Sequence, residues 1–393
     1  MSEKYIPLSI PNFEGNEKKY VDEAIEQGWV STGGAFITRL EDSLADFLQV
    51  ECVAACQSGT SALHLALVDA GVVPGDVVLV PPLTFIAAVN PVKYQFANPV
   101  FIDCDDSFCM DPQKLKTFCK KKCQFRDGQL LYNQAIVRAV IVVHVFGNMA
   151  DMEAIMEIAS EYNLKVIEDS TESLGTIYTS GKYKGKYAGT IGDYGCFSFN
   201  GNKIITTGGG GAITSKDKST VDHLKYLSTQ AKDDPHYYVH NEIGYNYRMT
   251  NIQAAIGVAQ MEELPEFINR KQHNYKLYQK LFKSFDLCKL MPFRDNTSSN
   301  MWFYSLMINR DRINVSMRDI ITSLDKRGVG TRAIWGLINE QKPYLEDETF
   351  ELVKAPFYAS RILNIPCSTN LTDEDISIVA NTVKEYLGEI AHA

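Results

Sequence analysis

Lys203 closes the stretch Cys196-Phe197-Ser198-Phe199-Asn200-Gly201-Asn202-Lys203, just before the glycine run Gly208 to Gly211. The pattern reads as an apolar strand leading into a polar turn that presents one amine. Upstream, Val166-Ile167-Glu168-Asp169 reads as another short strand, ending in a carboxylate. A lysine and an aspartate at the ends of neighbouring strands suit pyridoxal phosphate. The lysine links to the aldehyde carbon, and the carboxylate keeps the pyridine nitrogen protonated so that the ring withdraws electrons. Taken singly, a lysine after a strand is more often a solvated surface group, and an aspartate there a turn residue or a cap.

Other segments add to the pair. Gln57-Ser58-Gly59-Thr60-Ser61 precedes an apolar helix. Glycine permits close backbone approach there, and the free amides of a first helical turn can hold a phosphate. Taken alone, those residues are more often a serine N-cap without a ligand. Phe85, after Pro81-Pro82-Leu83-Thr84, could stack on a planar ring or belong to the core. The Ser198 hydroxyl could reach the same phosphate or bond to backbone. In Gly244-Tyr245-Asn246-Tyr247-Arg248-Met249-Thr250, Thr250 is an expected N-cap, and Asn246 and Arg248 offer donors to an anion.

These groups need a frame. Between residues 50 and 215, short apolar strands alternate with amphipathic helices. Val77–Val80, Val100–Ile102, Val140–Val143 and Val166–Ile167 read as strands. Asp151 to Tyr162 reads as a helix with one apolar face. Strands this apolar are covered on both faces, which predicts a largely parallel sheet with ligands at its carboxyl ends. A long helix is expected from Thr250, interrupted near Pro265. The predicted organisation is a large α/β unit over 1–264 and a small α+β unit over 265–393, which includes a strand around Met301 to Leu306. The helix near Glu17 to Gln27 is expected to pack beside the small unit.

The 393 residues carry a net charge of −9 and show no basic stripe with interleaved aromatics, which argues against nucleic-acid binding. No segment approaches a membrane span. The first residues lack a basic-then-apolar leader pattern, so the nine cysteines are read as reduced thiols in a cytoplasm. The pairs Cys52/Cys56, Cys104/Cys109 and Cys119/Cys123 are not CxxC and have only His64 near them, so no metal site is assigned.

The order Ser-Gly-Thr, Thr-Phe, Glu-Asp, Phe-Ser-Phe with Lys203, then Asn-x-Arg resembles the DegT/DnrJ/StrS family of nucleotide-sugar aminotransferases, over nearly the whole chain. The resemblance implies the fold-type I architecture of pyridoxal-phosphate enzymes, with Lys203 as linking residue and proton carrier and Asp169 on the pyridinium nitrogen. It implies Ser58, Gly59, Thr60 and Ser198 around the phosphate, Phe85 on the ring and Glu172 near the ring hydroxyl. Asn246 is implied to reach the phosphate of a second subunit, making a homodimer with shared sites. Thr32, Arg248 and Arg332 are implied to face the substrate. Asn-Gly-Asn-Lys-Ile-Ile-Thr-Thr, Ser-Thr-Gln-Ala at 228–231 and Tyr-Asn-Tyr-Arg look closest to enzymes that aminate C4 of UDP-4-keto-6-deoxy-N-acetylhexosamines for bacillosamine or legionaminic acid. The expected reaction takes the amine from L-glutamate through pyridoxamine phosphate to that ketone, leaving 2-oxoglutarate. The alternatives are a pyridoxamine-dependent sugar dehydratase, whose branch carries histidine in place of the lysine, and a non-catalytic nucleotide-sugar-binding or regulatory relative.

Overall fold

The computed structural model describes residues 4–234 and 236–391. Its main sheet has the spatial order Val53–Cys56, Gly211–Ser215, Tyr194–Ser198, Lys165–Asp169, Ala135–Val143, Val77–Val80, Asn98–Ile102, Glu348–Phe350. Gly211–Ser215 runs antiparallel to both neighbours, and every later pair along that path is parallel. Helices such as Gly59–Asp69 and Met152–Tyr162 cover the sheet, and the central strands are buried on both faces. The mostly parallel α/β arrangement expected from the apolar runs is therefore present. Five strands that point the same way end together. The segments leaving Cys56, Val80, Val143, Asp169 and Ser198 converge on one edge of the sheet.

A second, antiparallel sheet has the order Cys288–Leu290, Tyr304–Ile308, Ile362–Ile365, Arg332–Ala333. Its strand begins at Tyr304, three residues later than the expected one. Met301 sits at φ 50°, where a regular strand cannot pass. Glu348–Phe350, from the C-terminal part of the chain, joins the main sheet beside Asn98–Ile102.

The helix from Asn251 runs unbroken to Phe282 with Pro265 inside it, so the interruption expected there is absent. Packing on both sides outweighs the lost backbone hydrogen bond. Before the proline, Gln260 donates to Asn12 O (2.8 Å), and Glu262 accepts from the Tyr20 hydroxyl (2.7 Å). After it, Arg270 reaches Leu371 O, Tyr275 reaches Met291 O and Tyr278 reaches Pro366 O. The division at 264/265 thus falls inside a helix that both parts share. Helix Glu17–Glu26 lies on the first half of this helix and not beside the second sheet. Residues Ile6 and Leu8, before it, make the backbone bonds to Gly328, Gly330 and Cys367. Among the described residues no helix is long and apolar enough to cross a membrane.

Candidate active site

The convergent strand ends enclose a cavity of about 470 Å³, within the roughly 300–1,000 Å³ usual for small-molecule sites. Its lining brings together nine of the residues singled out from the sequence: Ser58, Gly59, Thr60, Phe85, Asp169, Glu172, Ser198, Lys203 and Arg332.

Lys203 sits on the hairpin between Tyr194–Ser198 and Gly211–Ser215, and its N–H donates to Asn200 O (3.0 Å) in a tight turn. The long helix clamps this hairpin. Gln253 Nε2 donates to Gly209 O (2.6 Å), and Gln260 Oε1 accepts from the Thr206 N–H (3.1 Å). The Lys203 side chain is 12% exposed, and burial lowers its pKa from the usual lysine value, against the pull of Glu172 and Asp169. A larger fraction of neutral, nucleophilic amine results.

Asp169 ends its strand buried, and its Oδ1 accepts from the Thr171 N–H (3.1 Å). Burial raises its pKa over the opposing effects of Thr171 and Lys203. A cation placed against it in the cavity would reverse that shift. Glu172 is also buried. Its Oε2 accepts from the Phe146 N–H (2.7 Å), and its Oε1 lies 3.7 Å from Lys203 Nζ. Burial pushes this carboxyl up to about 7.

The first turn of helix Gly59–Asp69 forms the opposite wall. Ser58 caps it, and its Oγ accepts from the Ser61 N–H (3.0 Å). Among the described residues, the Gly59 and Thr60 amides have no protein acceptor. A Cβ on Gly59 would lie 2.8 Å from Thr171 Cγ2 and 2.9 Å from Ser198 Cβ, so only glycine lets this turn come so close. Two free amides at a helix N-terminus, bordered by the Thr60 and Ser198 side chains, fit a phosphate. The buried carboxylate fits a protonated ring nitrogen, and the lysine fits an aldehyde. These residues together fit pyridoxal phosphate. Phe85 is 54% exposed and borders the cavity, so it is not part of the core.

Three predicted residues lie elsewhere. Thr32 is exposed, away from the cavity lining. Arg248 is held inside the fold by an ion pair with Glu41 and a bond to Ala55 O (3.3 Å). Asn246 is exposed and bridged to Thr229. Sequence reading missed Thr171 and Trp302, which line the cavity. Trp302 stood inside an apolar run that was read as strand. Trp335, three residues after Arg332, lines the cavity with it.

The sequence profile of the DegT/DnrJ/EryC1/StrS aminotransferase family matches residues 11–384. A GDP-perosamine synthase of Caulobacter vibrioides is 35% identical over 384 residues, 97% of this chain and 98% of that protein. A UDP-4-amino-4,6-dideoxy-N-acetyl-beta-L-altrosamine transaminase of Campylobacter jejuni is 27% identical over 92% of each chain. In fold, the chain is similar to PseC of Helicobacter pylori, an aminotransferase involved in the biosynthesis of pseudoaminic acid. The TM-score is 0.88, with 23% identity, 98% of this chain and 100% of that one. With the cavity described above, these findings mean that the chain belongs to the DegT/DnrJ/EryC1/StrS aminotransferase family, as a sugar aminotransferase whose cofactor is pyridoxal phosphate.

Proposed function

We propose that this chain transfers the amine of L-glutamate to the C4 ketone of a nucleotide-linked 4-keto-6-deoxy sugar, as a cytoplasmic homodimer. The observation that carries the reading is the Lys203 amine held in one cavity with the buried Asp169 carboxylate. When bound, pyridoxal phosphate accepts an amine and stabilises negative charge at the adjoining carbon. The chain's own groups do the rest. Gly59 and Thr60 amides with Ser198 hold the phosphate, Asp169 keeps the ring nitrogen protonated, and Phe85 covers the ring. Lys203 Nζ, buried enough to release its proton, takes and returns the proton at the reacting carbon. Trp302, Trp335 and Phe146 exclude water from that step, Phe146 packing 4.7 Å from Trp335. Arg332 at the lining supplies a positive charge for a carboxylate or phosphate group of the substrates.

Asn246 is exposed and outside its own cavity, which is the placement that a residue serving a second copy requires. Nine free cysteines support a reducing compartment. UDP-2-acetamido-2,6-dideoxy-hexos-4-ulose is the sugar that the family resemblance implies. A GDP-linked sugar is a second reading, favoured by the higher identity to the relative named for GDP-perosamine.

The test is a panel of UDP-, GDP- and dTDP-linked 4-keto sugars assayed with glutamate, products identified by mass and NMR. A 4-amino product from any member supports the reading, and its nucleotide decides between the two sugars. Loss of the cofactor's near-visible absorbance on adding glutamate reports the first half-reaction. No amination across the panel, with that loss intact, sinks the substrate class. Mixing Asn246→Ala and Lys203→Ala dimers under demonstrated subunit exchange tests sharing: activity recovers if Asn246 serves the partner's site.

A further inference from the structure

The Lys203 ammonium has two close neighbours. Glu172 Oε1 is 3.7 Å from Nζ, and the centroid of the Trp302 ring is 4.1 Å from it. The indole is fixed at its other atoms. Its Nε1–H donates to Asn202 O (2.7 Å), the residue just before Lys203. Its backbone N–H donates to Asn300 Oδ1 (3.1 Å). Its carbonyl accepts from Lys271 Nζ (2.8 Å), a buried ammonium on the long helix that also reaches Cys367 O and lies outside the cavity lining. The ring face is left for Lys203. On the next residue, Phe303, the Arg332 guanidinium stands 5.1 Å from the ring centroid. Two successive aromatic residues thus each carry one of the cavity's two cations.

We propose that Trp302 is the positioning residue that holds the Lys203 ammonium whenever Lys203 is not linked to the cofactor. The proposal rests on the reading of Lys203 as the linking residue. A lysine released in mid-cycle must stay within reach of the reacting carbon, in a site with little water. The groups facing it are Glu172 and Asp169 from the strand end and Arg332 from the second sheet. A carboxylate alone offers a proton acceptor and invites the ammonium to give up the proton it has to deliver. An aromatic face attracts the charge without accepting the proton, and the attraction is strongest where water is excluded. Glu172 Oε2 is already engaged by the Phe146 N–H, which leaves Oε1 to share the charge at longer range.

The test uses full-length protein loaded with pyridoxamine phosphate, in which Lys203 is unlinked. Labelling of Lys203 by a small amine reagent is followed by mass spectrometry across pH, for wild type, Trp302→Phe and Trp302→Met. Trp302→Met should label about five-fold faster below the titration midpoint, as expected for loss of one cation–π contact. Its curve should move to lower pH with the alkaline plateau unchanged, and Trp302→Phe should stay close to wild type. Coincident curves, or a changed plateau with an unmoved midpoint, overturn the proposal. If Trp302→Met fails to fold, wild-type indole emission should follow the titration of Lys203, and Lys203→Met should abolish that component. Emission that is indifferent to Lys203 overturns the proposal equally. Borohydride reduction of the pyridoxal phosphate form with peptide mapping tests the linking role separately. Cofactor trapped on Lys203 alongside coincident curves rejects the Trp302 proposal alone, whereas cofactor trapped elsewhere rejects both.

Discussion

Glu168 and Asp169 are consecutive buried carboxylates that face opposite sides of one strand, and they live in different chemistry. Glu168 is saturated. Its Oε1 accepts from the Ile191 and Gly192 amides, and its Oε2 from the Gly189 amide and from His144 Nε2 (2.9 Å). His144 Nδ1 accepts from the Ala150 N–H (3.1 Å), so the Nε2 proton points at the carboxylate. Burial pushes the Glu168 pKa up, but these donors outweigh it and the net shift is downward. Asp169 has Thr171 as its hydrogen-bond donor, opens on the cavity, and is shifted upward. A carboxylate whose lone pairs are all taken ties the fold together. One left short of partners is available to a ligand.

The largest effect should come from Lys203→Ala, on the cavity side. Turnover should fall by at least about 10⁴-fold, since linkage and proton transfer go together, while the melting temperature stays near wild type. Pyridoxamine phosphate should still bind in equilibrium dialysis through the Gly59–Thr60 turn. Measurable normal transamination would remove Lys203 from its role.

The two carboxylates should then separate cleanly. Asp169→Asn should lose on the order of 10²–10³ in kcat with nearly unchanged stability, because the amide cannot hold the ring nitrogen protonated. Glu168→Gln should do the reverse. Its NH₂ must face two of four fixed donors, at a cost of about 2 kcal/mol in denaturant unfolding, with kcat per folded molecule close to wild type. If both variants lose stability and neither loses kcat, the contrast between the two sides of the strand is false.

The smallest effects concern pH, read on protein without added cofactor. Glu168 titrates lower in the folded state than its ordinary 4.5. Its contribution is present above 4.5 and lost as pH falls through the lower folded value. Glu172 is shifted up from 4.5 to about 7, so the folded state binds the extra proton and stability falls as pH rises between those values. Glu172→Gln should flatten the fall between 4.5 and 7, and Glu168→Gln should flatten the loss at acid pH. Parallel stability-pH curves for wild type and Glu172→Gln would show that Glu172 does not titrate in this window.

Legibility in the sequence depended on the range of the interactions. Ser58–Thr60, Asp169 and Lys203 were legible because strand, turn and ligand group are contiguous, and the period of the apolar runs placed them on one sheet edge. The fate of Arg248 was not, because its partner Glu41 is 207 residues away in sequence. Trp302 was hidden for the same reason: an apolar run tells that a residue is buried, not which cavity it backs. The different roles of Glu168 and Asp169 were implicit in strand alternation, but three of the four donors that saturate Glu168 come from the loop after Tyr187. Pro265 misled because its local penalty was outweighed by packing on both flanks of the helix.

That helix has a mechanical meaning. Thirty-two residues make a rod about 48 Å long. Its first half grips the hairpin that carries Lys203, and its second half grips Trp302 through Lys271. Two walls of the cavity are therefore mounted on a single beam, and neither can travel far while the beam is straight. Pro265 brings no N–H to the Met261 carbonyl, so the rod is most compliant between its two sets of clamps. A gape or clench of the cavity that moves these walls apart or together has its cheapest flexure there.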